Sequence, residues 1–402
     1  MKWEKVKLGD LVIRIQPGPF GSQLHSSDYA DEGTPIIMPK DMIDGKISYK
    51  DLIRVPDKHL QRLKRHQVFD GDLMVARKGD VRKCVYITKN ENGWLTGSDC
   101  LKVSLDKEKC FPKYIYYQLR SPFIGRWLET ISIGATMPSL NTGLLSGIEI
   151  FLPTIEEQKR IAGILSAYDS FIEKNQEQIK LLEEAAQRLY KEWFADLRFP
   201  GYENTRIVDG VPEGWKRCTL GEMTSILRRG ISPKYDDGGK YLVISQKCIR
   251  RSIMDAGEAR RESKVYMPEL NLQDADTVIC STGTGTLGRV GQVYGTYPDT
   301  TFDSHVTLVR TEKYQNYFYQ AMKSQQEFLM GMGRGSTNQQ ELYRNVIESL
   351  QILVPTQEIL NTAEKMLSTM HHKITALNSQ MLLLIETRNR LLPKLMSGEL
   401  EA

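Results

Sequence analysis

The stretch with the clearest potential for chemistry is CSTGTGTLGRVG, residues 280–291. Its glycines Gly283, Gly285 and Gly288 have the G-x-G-x-x-G spacing that can hold a dinucleotide pyrophosphate, and the stretch also comes close to a phosphate-binding P-loop. Both motifs need a helix after the last glycine, whereas the following RVGQVYGTYP alternates as a strand does. An arginine and a valine also replace the lysine and the hydroxyl residue of a P-loop. The pattern favours a strand–loop–strand turn with a close backbone approach to a ligand over a nucleotide-dependent enzyme.

Other arrangements that could catalyse a reaction or bind a metal are missing from the sequence. None of the six cysteines forms a C-x-x-C pair, and the adjacent His371 and His372 would point about 100° apart on a helix. There is no Asn/Asp-Pro-Pro-aromatic motif of an amino-methyltransferase. The nearest nuclease-like set, Asp255 with Glu262 and Lys264, belongs to a polar stretch rather than an apolar strand. We therefore expect no catalytic residue, no metal and no cofactor.

The composition is that of a globular protein of two or three domains. The chain has 402 residues, of which 40% are hydrophobic and 26% are charged. The net charge of +4 suits an anionic partner but does not require one. No apolar run is long enough to span a bilayer, and the beginning MKWEKVKLGD lacks the apolar region of a signal peptide. We expect a cytoplasmic protein.

The sequence contains an internal repeat of two similar units. Two pairs of stretches carry the repeat: GATMPSLNTGLLSGIEIFLPT with GSTNQQELYRNVIESLQILVPT, and GDLMVARKGD with ADTVICSTGT. Each copy begins with a strand-rich region and ends, after Pro153 or Pro355, with a long helical pattern. The predicted organisation is two globular domains, each followed by a helical region: 1–153, 154–198, 199–355 and 356–402.

The two helical patterns share one register. In each, nine of ten positions spaced alternately by four and three are apolar, which is typical of a coiled coil. The positions are Ile161, Leu165, Tyr168, Ile172, Asn175, Ile179, Leu182, Ala186, Leu189 and Trp193, and then Ala363, Leu367, Met370, Ile374, Leu377, Met381, Leu384, Arg388, Leu391 and Leu395. We expect an antiparallel pair, because a parallel pair would crowd both globular domains at one end. Such a pair implies an approximate two-fold axis. Packing of each helix on a different partner chain stays open.

Four apolar residues lie off this seam: Phe171, Leu181, Ile164 and Phe194. They indicate either a second contact surface or local packing against the globular domains.

An ordered set of motifs runs along the chain: GPFGS, SDYADEGTPII, GDLMVARKG and IEIFLPTIEEQKRIAGIL, then VPEGW, RGISPKY, ISQKCIR, RGSTNQQEL, LQILVPT and LLPKLMSGEL. This set resembles the specificity subunit of Type I restriction-modification enzymes. The resemblance covers essentially the whole chain. It implies an α+β fold in which two target-recognition domains alternate with two helices, each domain reading one half of a split sequence in double-stranded DNA. The helices would set the spacing and dock two modification subunits, onto which restriction subunits add. Methyl transfer to adenine would belong to those partners, so this subunit would be non-catalytic.

Candidate DNA contacts are polar residues in the predicted loops, since Lys and Arg bind phosphates and polar side chains read base edges. In the first copy they are Ser22, Gln23, Lys40, Asp41, Arg77, Lys78, Arg82 and Lys83. In the second copy they are Arg228, Arg229, Gln246, Lys247, Arg250, Arg251, Thr284, Thr286 and Arg289. For each of them a role as solvated surface stays open.

Two comparisons between the copies support this choice. Gln246 and Lys247 align with Lys40 and Asp41, which places different polar groups at a matched position. Arg77 and Arg289 are interpreted as occupying matched places in the turn of each copy. The alternative function, which belongs to a different class, is that of a coiled-coil adaptor that holds two protein ligands and has no DNA sequence preference.

Overall fold

A computed structural model of the chain describes residues 3–131, 139–249, 254–264, 266–333 and 340–401. Its contacts divide the chain into two compact units. Unit 1 comprises Met1–Ile172 with Leu383–Ala402, and unit 2 comprises Glu173–Leu382. Within the described ranges, no helix is both long and apolar enough to cross a membrane.

Short strands and short helices build the globular part of unit 1. The strands are β1 (Glu4–Lys7), β2 (Val12–Pro17), β3 (Thr34–Ile37), β4 (Met42–Ile43), β5 (Lys46–Ile47), β6 (Arg54–Val55), β7 (Leu73–Ala76), β8 (Cys84–Tyr86), β9 (Leu95–Thr96), β10 (Cys100–Leu105) and β11 (Glu149–Leu152). The helices are α1 (Leu60–Leu63), α2 (Pro112–Leu119), α3 (Pro122–Ile131), α4 (Thr142–Ser146) and the long α5 (Ile155–Tyr190).

An antiparallel sheet in the order β2-β10-β7-β8 lies at the centre of unit 1. Its strand β7 is buried throughout, because alternate side chains point into two different hydrophobic clusters. Leu73 and Val75 pack with the helices, while Met74 and Ala76 pack in a smaller cluster on the other face. A second sheet has the order β6-β3-β9, and β1 pairs with β11.

Unit 2 repeats this arrangement. Its strands are β12 (Ile207–Val208), β13 (Val211–Pro212), β14 (Lys216–Thr219), β15 (Thr224–Arg229), β16 (Tyr241–Ile244), β17 (Arg260–Glu262), β18 (Thr277–Cys280), β19 (Val290–Gln292), β20 (Thr300–Phe302), β21 (Val306–Thr311) and β22 (Gln351–Val354). Its helices are α6 (Leu220–Met223), α7 (Gln315–Ser324), α8 (Gln326–Gly331), α9 (Arg344–Glu348) and the long α10 (Gln357–Ser397).

Three sheets of unit 2 correspond to three sheets of unit 1. The central sheet has the order β15-β21-β18-β19, the second sheet has the order β17-β16-β20, and β14 pairs with β22. In both units the second sheet contains one parallel pair, β3 with β9 and β16 with β20. The α+β prediction and the internal repeat are therefore confirmed in three dimensions.

The two long helices pack on each other within each unit. In unit 1, Ile161 near the beginning of α5 shares a core with Leu395 near the end of α10. In unit 2, Ile179 packs with Ile374 and Leu377, and Ala186, further along α5, shares a core with residues closer to the beginning of α10. The helices are therefore antiparallel, as predicted. Every predicted seam residue is buried or half-buried.

The two polar seam residues each have a partner on the facing helix. In unit 1, the Arg388 guanidinium binds the Asp169 carboxylate, with Nη1 and Oδ1 separated by 2.7 Å. In unit 2, the side-chain amide of Asn175 donates to Gln380 Oε1 at 3.2 Å. A polar group at a seam position favours one register, because any slip would leave it without its partner.

The four apolar residues off the seam divide into two kinds. Ile164 packs against the core of unit 1, and Phe194 is buried in the core of unit 2. Phe171 and Leu181 are 55% and 57% exposed. Local packing thus accounts for the first two, and the other two remain as exposed apolar surface.

Candidate nucleic-acid interface

One end of each central sheet gathers the loops that carry most of the candidate residues. In unit 1, β2 and β7 end there, and β8 and β10 begin there. In unit 2 the same holds for β15, β18, β19 and β21. We call this the loop end of each sheet. The turn that joins β7 to β8 (residues 77–83) and the turn that joins β18 to β19 (residues 281–289) both lie at the loop end.

Three backbone hydrogen bonds fix the loop end of unit 1. The Arg77 N–H donates to Asp99 O at 2.7 Å, and the Leu140 N–H donates to Arg77 O at 2.8 Å. The Gly18 N–H donates to Cys100 O at 3.0 Å. These bonds hold three loops against one another, so the side chains on them start from fixed backbone positions.

Unit 2 has the same three bonds. The Ser281 N–H donates to His305 O at 2.8 Å, and the Leu342 N–H donates to Ser281 O at 2.8 Å. The Gly230 N–H donates to Val306 O at 3.1 Å. The bonds therefore match Arg77 with Ser281, Asp99 with His305, and Gly18 with Gly230.

Both copies need a glycine directly after the edge strand of the central sheet, β2 or β15, where the chain passes the neighbouring strand β10 or β21. A Cβ at Gly18 would overlap the Gly97 carbonyl oxygen, and one at Gly230 would overlap the Asp303 carbonyl oxygen. This close approach lets the loop that follows β2 or β15 lie directly beside the start of β10 or β21.

The side chains on this shared frame differ between the copies. In unit 1, Lys78 forms an ion pair with Asp99 at 3.3 Å. In unit 2 the matched residues are Thr282 and His305, and the hydroxyl hydrogen-bonds to the imidazole Nδ1. Exposed ion pairs contribute only about 0–1 kcal/mol, so a ligand can replace such partners at small cost.

Unit 2 has a further ion pair at its loop end. Arg229, at the end of β15, binds Glu341 with Nη2 and Oε1 separated by 2.8 Å. Glu341 forms an isolated bridge with Thr282, and the matched bridge of unit 1 joins Ser139 to Lys78. Glu341 of unit 2 is thus matched by Ser139 of unit 1. A carboxylate in one copy and a hydroxyl in the other give the two surfaces different charges and different hydrogen-bonding groups.

The glycine-rich stretch forms the β18–β19 turn, and no helix follows it. Gly283, Gly285 and Gly288 all have positive φ angles, of 103°, 75° and 76°, which other residues rarely adopt. At Gly288 a Cβ would lie 2.5 Å from the Met330 backbone nitrogen. The glycines therefore form a tight turn that packs on α8, and the strand–loop–strand interpretation is confirmed.

Arg77 and Arg289 do not occupy matched places, contrary to the sequence interpretation. Arg77 directly follows β7, whereas Arg289 directly precedes β19. The residue that matches Arg289 is Lys83, because both accept a backbone hydrogen bond at 2.9 Å from the last residue of the preceding strand. Lys83 Nζ donates to Pro39 O at 2.9 Å, and Arg289 donates to Ile249 O at 3.5 Å. These two cations connect the turn to the loop after β3 or β16.

The sequence alignment of Lys40 and Asp41 with Gln246 and Lys247 is shifted by one residue. Ile37 O accepts from Gly97 N at 2.8 Å, and Ile244 O accepts from the matched Asp303 N at 2.9 Å. Lys40 and Lys247 each come three residues after these isoleucines, so they match each other. An ungapped comparison could not detect the shift, because only the pairing with the next strand reveals it.

Asp41 contributes to the fold of its loop. Its side chain is 3% exposed, and its carboxylate accepts from the Met38 N–H at 2.9 Å. Burial raises the pKa of this carboxyl group. Asp41 thus caps the short helical turn Pro39–Asp41, while Lys40 is exposed and donates to Asp51 O at 3.1 Å.

The other candidates vary in accessibility. Arg228 and Thr284 are exposed, whereas the Thr286 hydroxyl donates to Thr282 O at 3.0 Å within the turn. Arg82 forms ion pairs with Asp80 and Glu129 at 3.1 and 3.3 Å.

For four further candidates the structure describes little or nothing of the side chain. Gln23 is half-buried. Arg250 and Arg251, together with the side chain of Ser22, lie outside the described residues.

Sequence reasoning missed several residues at the loop ends. Asp99 and His305 directly precede the long buried strands β10 and β21, and Glu341 lies beyond the next helices. Phe20 is a large apolar residue that is 58% exposed. Alignment of the segments before β10 and β21 could have revealed the first two, since both are polar residues just before an apolar strand.

Glu262 does not lie on an apolar strand, since β17 is the polar run Arg260–Glu262. Glu262 ends β17 and is fully buried, and its carboxylate accepts from the Lys234 N–H at 2.7 Å. Asp255 caps a short turn by accepting from the Gly257 N–H at 2.8 Å. Both carboxylates therefore bind backbone, and among the described residues no group of His, Cys, Asp and Glu could hold a metal ion.

Comparison with known proteins agrees with this architecture. The chain is 25% identical to the Type I restriction enzyme MjaIX specificity subunit of Methanocaldococcus jannaschii, over 93% of this chain and 88% of that protein. It is 20% identical to the HindI specificity subunit of Haemophilus influenzae, over 99% of both. The crystal structure of a Type I restriction-modification S subunit from M. genitalium has the same fold, with a TM-score of 0.61 and 18% identity over 98% of this chain and 96% of that one.

The family described as Type I restriction modification DNA specificity domain matches the chain twice, at residues 1–184 and 212–387. These two segments correspond to the two copies that share one sheet order and one loop-end frame. The chain therefore belongs to the family of Type I restriction-modification DNA specificity domains.

Proposed function

We propose that this chain is the DNA sequence-specificity subunit of a Type I restriction-modification system, and that each loop end reads one half of a bipartite target. The observation that carries the proposal is the shared backbone frame with different side chains. Matched positions hold Lys78 and Asp99 in unit 1 but Thr282 and His305 in unit 2. One scaffold with two sets of polar groups suits a target with two different halves.

The chemistry of the two loop ends fits direct readout of bases. Arg and Lys donate to guanine, Ser and Thr can donate or accept, and phosphates bind any of the cations. In unit 1 we propose Arg77 and Lys78 as the main contacts, with Lys40 beside them. In unit 2 we propose Arg228, Thr284 and Lys247, together with the two residues that the sequence did not indicate, His305 and Glu341.

Three other candidates act on the loops themselves. Lys83 and Arg289 donate to backbone carbonyl groups of the neighbouring loop. Asp41 caps its own turn. We propose that they hold the reading loops in position, so their loss would weaken recognition without changing which bases are preferred.

The helices serve assembly in this proposal. Phe171 and Leu181 on α5 and Leu383 on α10 are more than half exposed. They are not part of the apolar seam by which the two helices pack on each other. Exposed apolar residues on a helix suit a protein partner. We propose that two modification subunits dock there in the cytoplasm, that restriction subunits bind through them, and that the regions 154–198 and 356–402 form this platform.

Methylome sequencing tests the proposal. The intact chain is produced in a host together with its modification subunits, and the methylated sites are mapped. We expect one asymmetric bipartite motif with a fixed spacer. Substitutions at His305 and Thr284 should change only one half of that motif, and substitutions at Arg77 and Lys78 only the other half. A complex that assembles without any sequence preference would identify the chain as an adaptor instead.

A further inference from the structure

Phe20 presents an aromatic ring to solvent at the loop end of unit 1. It lies just after β2, in a loop that a hydrogen bond from the Gln23 N–H to Phe20 O (3.3 Å) and the bond from the Gly18 N–H both hold. The ring is 58% exposed and does not pack into any core cluster among the described residues. The ring therefore belongs to the surface of the loop end and not to a core.

The Arg77 guanidinium lies over this ring, with Cζ 6.0 Å from the ring centroid. Arg77 is held on both sides of its backbone, by Asp99 and Leu140. A cation over an aromatic ring is attracted by the negative face of the ring, which favours one orientation of the guanidinium. The loop end therefore presents an apolar face and a hydrogen-bonding fork side by side.

The fold itself does not require either side chain. Phe20 comes two residues after Gly18, and Ser232 comes two residues after the matched Gly230. Arg77 matches Ser281. Unit 2 thus forms the same three backbone bonds with Ser281 in place of Arg77 and with a serine, not an aromatic residue, two positions after the matched glycine.

We propose that Phe20 is a specificity-determining residue, whose ring packs on the 5-methyl group of a thymine in the half-site that unit 1 reads. The proposal rests on the proposed function. In the major groove, thymine presents its methyl group and guanine presents O6 and N7, which an arginine fork can bind. Neighbouring base pairs are about 3.4 Å apart along the helix axis, so a ring and a guanidinium this close can contact adjacent pairs. The Arg77 partner is then a guanine next to that thymine.

The test replaces thymine by deoxyuracil, which lacks only the methyl group. The full chain with its modification subunits is titrated with duplexes of the mapped target, in which each thymine of the unit 1 half-site is replaced in turn. For the unchanged protein we expect a loss of about fourfold in affinity at one position, the effect of one buried methyl group. The variants Phe20→Ala and Phe20→Ser should bind thymine and deoxyuracil equally at that position. Serine is the residue that the second copy has two positions after the matched glycine.

A matched control is Ile13→Ala. Ile13 is 75% exposed and lies on β2, away from the loop end. This variant should keep the full preference for thymine. Equal thermal unfolding midpoints for the Phe20 variants and the unchanged protein would exclude a folding defect, and we expect them because the ring is exposed.

Two results would overturn the proposal. If the unchanged protein binds every deoxyuracil duplex as tightly as the parent duplex, no thymine methyl group is read. If 2-aminopurine placed in the half-site becomes fluorescent with the unchanged protein but not with Phe20→Ala, the ring enters the base stack and acts as a wedge instead. Both results leave the proposed function intact, which fails only if the complex shows no preference for its target.

Discussion

The helices can be tested as the element that fixes the spacing of the two half-sites. One heptad is inserted after Gln176 in α5 and another after Asn378 in α10. Seven residues preserve the spacing of the apolar seam, so both helices should still pair. Both insertions are needed, because Asn175 of α5 contacts Gln380 of α10 at 3.2 Å, and a single insertion would shift one side of the pairing past the other.

The expected magnitude follows from helical geometry. Seven residues at 1.5 Å each lengthen the pair by about 10 Å. At about 3.4 Å per base pair, the half-sites should move apart by roughly three base pairs. Three base pairs also rotate the DNA by nearly a third of its turn of about 10.5 base pairs, which the DNA or the linkers must absorb.

The assay is the methylome of a host that carries the altered chain and its modification subunits. Both half-sequences should remain while the spacer between them grows. A control with a heptad in α5 alone should fail to assemble, since it breaks the pairing between the helices. If the doubly extended complex assembles and still methylates only the original spacing, the helices do not determine the distance.

Three further predictions concern stability and assembly. Burial, with the charge of a neighbouring arginine, lowers the pKa of His66 to about 4, whereas the imidazole of the unfolded chain titrates near 6.5. The free energy of unfolding should therefore fall by up to about 3 kcal/mol as the pH falls from about 6.5 to 4, and urea unfolding of His66→Gln should lose this dependence. Arg310→Met removes the guanidinium that lies 2.6 Å from the buried Asp276 carboxylate. Chemical unfolding should show that the free energy of unfolding falls by about 3–5 kcal/mol, and the double variant with Asp276→Leu should recover most of it. Phe171→Ser with Leu181→Ser should change unfolding by less than about 1 kcal/mol but reduce co-purification of the modification subunits, and unchanged co-purification would place the docking surface elsewhere.

The sequence by itself was sufficient for the architecture. The repeat required two similar globular domains, and the four-and-three spacing from Ile161 onward required long helices with one apolar seam. Such patterns are local and periodic, so burial of the apolar side leaves few alternatives. The glycine-rich stretch was also interpreted correctly, because the residues after Gly288 alternate as a strand does.

The tertiary structure decided which residues face the candidate ligand. Asp41 looked like a surface residue in the sequence, but its buried carboxylate caps a turn. Arg289 is matched by Lys83 rather than by Arg77. Phe20 gave no local signal, since its position at the loop end depends on the bond from the Gly18 N–H to Cys100 O, which is far away in the chain. Periodicity reports burial, whereas a binding surface is formed by loops that meet only when distant strands pair.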